Sequence, residues 1–342
     1  MSGAGAREGA VVRVRVPGRV NLIGDHTDYT GGLVLPMAID RWTVLEGRRG
    51  GSTVRLRSAD EPEPVVLDLP LDVDPAAVTP SWGRFVAGVV AEMDAHVGFD
   101  GALTTTIPVG AGLSSSAALG VAVALGLGFD GPATELAGAV RRSEVRATGV
   151  PTGIMDQLCI ASAIDGHATA IDCTTLDVTH VPLPDDVEVV VRFVAHRTLD
   201  GSGYTERVAQ CRAAEDVIGP LAQAGPDDVA RITDPLIARR ARHVVTENAR
   251  VRAFSAALEA GDLPAAGRVM AQSHASMRDD YEVSTPEVDR VVAELSALQG
   301  VHGVRLTGGG FGGCVVALCD PDTDVAGGWV VRPVGGPEVT VG

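Results

Sequence analysis

Apolar and polar residues alternate strictly over residues 11–16 (VVRVRV), the period-two pattern of a half-buried strand. A glycine-rich turn then leads into GLVLPMAIDRWTVLEG, which reads as extended chain, and STVRLRSAD and EPVVLDL continue the strand pattern. Between Trp82 and His96 the period changes: Phe85, Val86, Val89, Val90 and Met93 recur at helical spacing. Residues 102–107 (ALTTTI) predict another strand, closed by Pro108. A small-residue helix follows the SSS run, a second helix spans Pro132 to Thr148, and GVPTGIMDQ reads as a turn. The pattern restarts near residue 176, which places a division between 1–175 and 176–342. Beyond it come a strand (VEVVVRFVA) and helices at about 202–216 and 235–260, the second with Gly261 at C′. Thr285–Pro286 reads as an N-cap with proline at N1, opening a helix to about residue 298. VHGVRLTGGGFGGCVVALC reads as strand, glycine turn, strand.

Charge narrows the chemistry. The 342 residues carry 44 acidic and 28 basic side chains, a net −16, and every one of the basic residues is Arg. An acidic surface disfavours nucleic acid and anionic membrane as partners. The missing lysine excludes a Walker A loop, a protein-kinase fold and Schiff-base chemistry, since each needs that amine. Any anion must then be held by Arg, by backbone N–H groups or by a metal. Five scattered cysteines, Cys159, Cys173, Cys211, Cys314 and Cys319, form no CxxC pair and predict buried, reduced thiols. No apolar run approaches the ~18 residues of a membrane span, and the first residues lack a secretory core. These features together predict a cytoplasmic protein.

Three segments concentrate candidate chemistry. PGRVNLIGDHTDYTGGLVLP (17–36) packs Arg19, Asp25, His26, Asp28 and Tyr29 into a short loop between strands. Carboxylates and imidazoles of this kind bind sugars, although Asx-capped turns carry the same residues. PVGAGLSSSAAL (108–119) places small residues before a helix, where backbone N–H groups and the macrodipole attract phosphate; such a turn also serves as a plain strand–helix connection. LTGGGFGGCV (306–315) has five glycines in six residues, more than a hairpin requires, so backbone can approach a ligand closely there. Two acids stand apart: Glu144 in the helix 132–148, and Asp156 beside Ile154 and Met155.

At these residues the sequence resembles the GHMP kinases and, within them, the galactokinase family. PGRVNLIGDHTDY is similar to the galactokinase sugar-loop signature, PVGAGLSSSAAL to the GHMP phosphate loop, and RLTGGGFGGC to the third GHMP motif. VPTGIMDQ, GYTERVAQC, RRARHVVTEN and SHASMRDDYEVSTPEVD also resemble galactokinase segments. The resemblance implies a two-domain α+β fold, its N-terminal half like ribosomal protein S5 domain 2 and its C-terminal half ferredoxin-like. It implies transfer of the ATP γ-phosphate to the anomeric hydroxyl of galactose. Asp156 would be the catalytic aspartate and Arg19 its neighbouring arginine. Asp25, His26, Thr27, Asp28, Gly153 and Tyr204 would meet the sugar. Gly110, Ala111, Gly112, Leu113, Ser114, Ser115 and Ser116 would form the phosphate loop, and Ser58 a nucleotide contact. Ser116 and Glu144 would hold Mg²⁺. The partners implied are a sugar and ATP, bound to a monomer.

The chain also departs from the family pattern. Asp25 stands where the family usually has Glu, one methylene longer, which keeps open an anomeric kinase of another hexose, an N-acetylhexosamine or a pentose. Gly120 stands where many relatives carry Glu. A second alternative is a non-catalytic galactose and ATP sensor; such relatives lose part of the SSSA stretch, which is complete here from Ser114.

Overall fold

The structure, a computed structural model, describes residues 9–108, 110–196 and 202–342. The alternation at 11–16 opens β1, which continues to residue 23 (Val11–Ile23) and pairs antiparallel with β2, Leu33–Arg49. Residues 17–23, expected as a turn, stay in the sheet because Val16, Val20 and Leu22 are buried in the core. A register shift between Pro17 and Gly18 absorbs the proline, which has no N–H to give the ladder. Arg19 therefore projects from a strand.

β3 (Thr53–Ser58) pairs antiparallel with β4 (Val65–Asp68) and parallel with β5 (Phe99–Thr105), which lies against β2. β6 (His167–Asp172) and β7 (Val178–Pro182) form a hairpin on β2. The division expected between residues 175 and 176 falls in the turn of that hairpin, so β7 stays with the first sheet. On its other edge the sheet is completed by β12, Glu338–Val341, paired with β1.

Helices α1 (Gly83–Glu92), α2 (Ser115–Leu127), α3 (Ala133–Thr148) and α4 (Met155–Ser162) accompany this sheet. Glycines set their spacing. A Cβ on Gly88 would lie 2.4 Å from Ser143 O, and one on Gly120 would lie 2.5 Å from Val140 Cγ1. The position where relatives carry Glu is thus a contact between α2 and α3, with no room for a side chain.

The second sheet is antiparallel, in the order β11 (Gly328–Val331), β8 (Glu188–Ala195), β10 (Gly313–Cys319), β9 (Val301–Thr307). Its helices are α5 (Ser202–Ile218), α6 (Pro226–Val229), α7 (Pro235–Glu259), α8 (Leu263–Asp279) and α9 (Pro286–Ser296). α9 starts as its sequence predicts: Thr285 Oγ1 accepts from Val288 N, and Pro286 occupies the first turn. Gly261, at φ 67°, follows the end of α7. None of the five cysteines forms a disulfide; four are buried, and Cys173 is only partly buried, unlike its expected place in a core. Among the described residues no helix is long and apolar enough to cross a membrane.

Candidate active site

Strand β1, the loop after it, the turn before α2 and the start of α4 converge on one cleft of about 610 Å³. Asp156, expected in a turn, is the second residue of α4, which fixes its direction. Arg19 grips it with both arms: Nε donates to Oδ1 and Nη2 to Oδ2, each at 2.7 Å. Ser114 Oγ also donates to Asp156 Oδ2. Arg19 Nη1 donates to Gly112 O at 2.6 Å, so one arginine ties the carboxylate to the glycine–serine turn. Burial lowers the proton affinity of Arg19, and Asp156 more than restores it.

The turn itself needs unusual backbone. Gly110 and Gly112 have φ near 77° and 78°, and Ser114, at φ 61°, adopts the same left-handed region just before α2. Ser115 and Ser116 then open the helix, at the end where its unpaired N–H groups and positive dipole pole lie. Two of the expected phosphate donors are engaged elsewhere: Ala111 N–H donates to Pro108 O at 3.3 Å, and the Ser114 hydroxyl serves Asp156. Leu113 contributes its side chain to the core and its carbonyl to Arg19 N. Val109 of this segment lies outside the described residues.

Opposite the turn stand His26, Asp28 and Tyr204, with Gly153 in the wall. The rings of His26 and Tyr204 lie 5.6 Å apart, and His26 Nδ1 is 3.0 Å from Tyr29 Oη. A Cβ on Gly153 would come within 1.7 Å of Asp28 Oδ2, so only glycine permits that carboxylate its place. Burial and the charge of Asp156 push Asp28 up to about 6, against the pull of the Tyr29 and Met155 amides.

Two expected sugar contacts take other roles. Thr27 is fully buried, and its hydroxyl lies within hydrogen-bond reach of Gly24 O and Leu33 O, because the tight turn after β1 needs a brace. Asp25 borders the cleft, but its carboxylate is bound on both sides by protein: Oδ2 accepts from Arg305 Nη2, and Oδ1 from Gly308 N at 2.7 Å. Arg305 is fully buried and also reaches Leu22 O and Glu247. No signal in the sequence linked these residues, since Arg305 lies in a strand of the other sheet.

Ser116 and Glu144 meet as expected: Oγ donates to Oε1 at 2.9 Å. Burial, with Asp156 nearby, raises the Glu144 carboxyl to about 7, so a second negative charge is poorly accommodated here without a cation. Hard oxygen donors beside the glycine–serine turn suit Mg²⁺, which takes few protein ligands and keeps several waters. The residues fit that ion. A second cleft of about 490 Å³ shares Ser115 and Ser116 with the first, and Ser58 borders it with Trp82 and Phe85. In the sequence Phe85 reads as helix packing, and Trp82 only marks where that segment begins.

Family models agree with this arrangement. The galactokinase galactose-binding signature matches residues 5–49, the GHMP kinase N-terminal domain 84–163 and the GHMP kinase C-terminal domain 254–327. A galactokinase of Lactococcus lactis, solved with galactose, superposes with a TM-score of 0.90 at 31% identity, over 96% of this chain and 95% of that one. A Methanococcus jannaschii mevalonate kinase shares the fold at a TM-score of 0.70 and 19% identity, covering 94% of this chain and 98% of its own. So does a Streptococcus pneumoniae phosphomevalonate kinase bound to phosphomevalonate and AMPPNP, at 0.63 and 16%, covering 92% and 93%. The chain, with its sugar loop, its phosphate turn and Asp156 between them, belongs to the galactokinase family of the GHMP kinases.

Proposed function

We propose that this chain transfers the γ-phosphate of ATP to the anomeric hydroxyl of D-galactose, giving α-D-galactose 1-phosphate and ADP. The observation that carries the reading is the position of Asp156, pinned by Arg19 and Ser114 between the sugar loop and the phosphate turn. Galactose enters between His26, Asp28 and Tyr204, where a carboxylate and ring donors bind several hydroxyls at once. The nucleoside lies in the second cleft against Trp82 and Phe85, and the phosphates cross Ser115 and Ser116 into the first.

Phosphoryl transfer needs in-line placement and neutralised oxygen charge more than covalent help. A carboxylate has about four acceptor directions, and three donors already use Asp156, which leaves capacity for one substrate hydroxyl. Asp156 orients the anomeric O–H and takes its proton as the O1–P bond forms and the bond to the leaving ADP oxygen breaks. Arg19 faces the same oxygens with a fixed positive charge. Ser116 and Glu144 would hold Mg²⁺, whose charge screens the phosphate oxygens.

Coupled measurement of ADP release over a panel of monosaccharides tests the substrate. Galactose is expected to give the highest kcat/KM, and another sugar ranking well above it would overturn the reading. Asp156→Asn should lower kcat by about 10²–10⁴-fold while ATP still binds; near-normal turnover would remove Asp156 from its role.

A further inference from the structure

Gln157 follows Asp156 in the first turn of α4 and is 1% exposed, yet it borders the main cleft. Its side-chain N–H donates to Glu144 Oε2 at 2.6 Å, on the opposite oxygen from the one that Ser116 contacts. In the ionised state that ligates a cation, Glu144 only accepts, so this bond then fixes which end of the amide is Nε2. Oε1 is thereby turned to a place where no described protein group donates to it. Leaving a buried amide oxygen in that state costs on the order of 1–3 kcal/mol, and a glutamine that served packing alone would be replaced without loss by an apolar side chain of its length. A water in the shell of a cation held by Ser116 and Glu144 is a donor of the kind that oxygen lacks.

We infer that Gln157 is a positioning residue for the metal: it holds Glu144 in the orientation that ligates the cation and accepts from the cation's water. The inference rests on the Mg²⁺ reading of Ser116 and Glu144. It also gives α4 a double task, because consecutive residues set the reacting carboxylate and the metal ligand. Any shift of α4 moves both together, so metal loading and alignment of Asp156 are coupled through one helical turn.

Gln157→Met keeps length and removes both hydrogen bonds. Its apparent Mg²⁺ requirement at saturating ATP and galactose is expected to rise about 10–100-fold, the usual loss when a group behind a metal ligand is removed. Excess Mg²⁺ should restore kcat. Calorimetric binding of ADP is read with and without Mn²⁺: affinity for Mn²⁺–ADP should fall, and metal-free ADP binding should stay at its original level. A structural role would lower the melting temperature or damage both binding modes alike, and that result overturns the inference. Gln157→Asn, one methylene short of Glu144, makes the same test if the methionine variant does not fold. Glu144→Ala separates the two ideas. A raised Mg²⁺ requirement there with Gln157→Met unchanged sinks only the role of Gln157, and no effect in Glu144→Ala sinks the Mg²⁺ site itself.

Discussion

Asp28 illustrates how one side chain carries two opposed demands. Its carboxyl is raised to about 6 because burial and Asp156 both disfavour its charge, yet binding a sugar hydroxyl as an acceptor uses the charged form. In the free enzyme kcat/KM for galactose should therefore fall as pH drops below about 6, which a pH–rate profile reads directly. The stability effect has the opposite sign. The folded state holds this proton more tightly than the unfolded one, so the ionised carboxylate costs stability above pH 6 and the cost fades as pH falls toward the ordinary 3.8. Asp28→Asn should melt higher than the parent at pH 8 while KM for galactose rises; a lower melting temperature there would contradict the raised pKa. Gly153 completes the argument at this scale, since its missing side chain makes the space that Asp28 occupies.

At the scale of elements, long periodic segments were legible and short or interrupted ones were not. α1 follows from apolar spacing, α3 and α7 lie within a residue of their expected spans, and the hairpin of β9 and β10 follows from its glycine-rich turn between apolar runs. β1 extends beyond its alternating half because tertiary burial of Val20 and Leu22 outweighs the local turn signals of Pro17 and Gly18. The first residues of α4 read as turn, because the helix is only eight residues long and begins just after Pro151 and Gly153. β12 alternates polar and apolar over only four residues, all of them exposed, which is too short a run to stand out from the loop before it. The helix contacts around the site are equally hidden in a one-dimensional pattern. Gly88 looks like an ordinary weak point in α1, but a methyl group there meets Ser143 O, one residue from Glu144. Gly88→Ala should destabilise the protein by about 1–3 kcal/mol through separation of α1 from α3, seen as a lower midpoint in urea. An unchanged midpoint would mean that the two helices yield freely.

Across the whole molecule a buried ionic network joins the two sheets, and the sequence held its members far apart. Glu247 on α7 accepts from Arg250 Nε at 2.6 Å, from Ser273 Oγ at 2.5 Å and from Gly24 N at 3.1 Å, and it lies 3.7 Å from Arg305. Burial pushes Glu247 up, but the charges of His243, Arg250 and Arg305 and the Ser273 bond bring it down to about 2. The unfolded chain binds this proton near 4.5, so the stability from Glu247 is present above that pH and drains away as pH falls toward 2. The shift corresponds to about 3 kcal/mol. Glu247→Gln should flatten the acid side of the stability curve below pH 4.5 and lose stability at pH 7; an unaltered acid limb would rule this linkage out.

The same network sets a timetable for synthesis. Asp25 emerges early, but Arg305 and Gly308, which hold its carboxylate, stand 280 and 283 positions later. At roughly 5–20 residues per second on a ribosome, the loop after β1 waits on the order of 15–60 s for its counter-ion. Until β9 leaves the exit tunnel the nascent chain carries that carboxylate without its clamp, so a settled sugar loop waits on a strand of the other sheet.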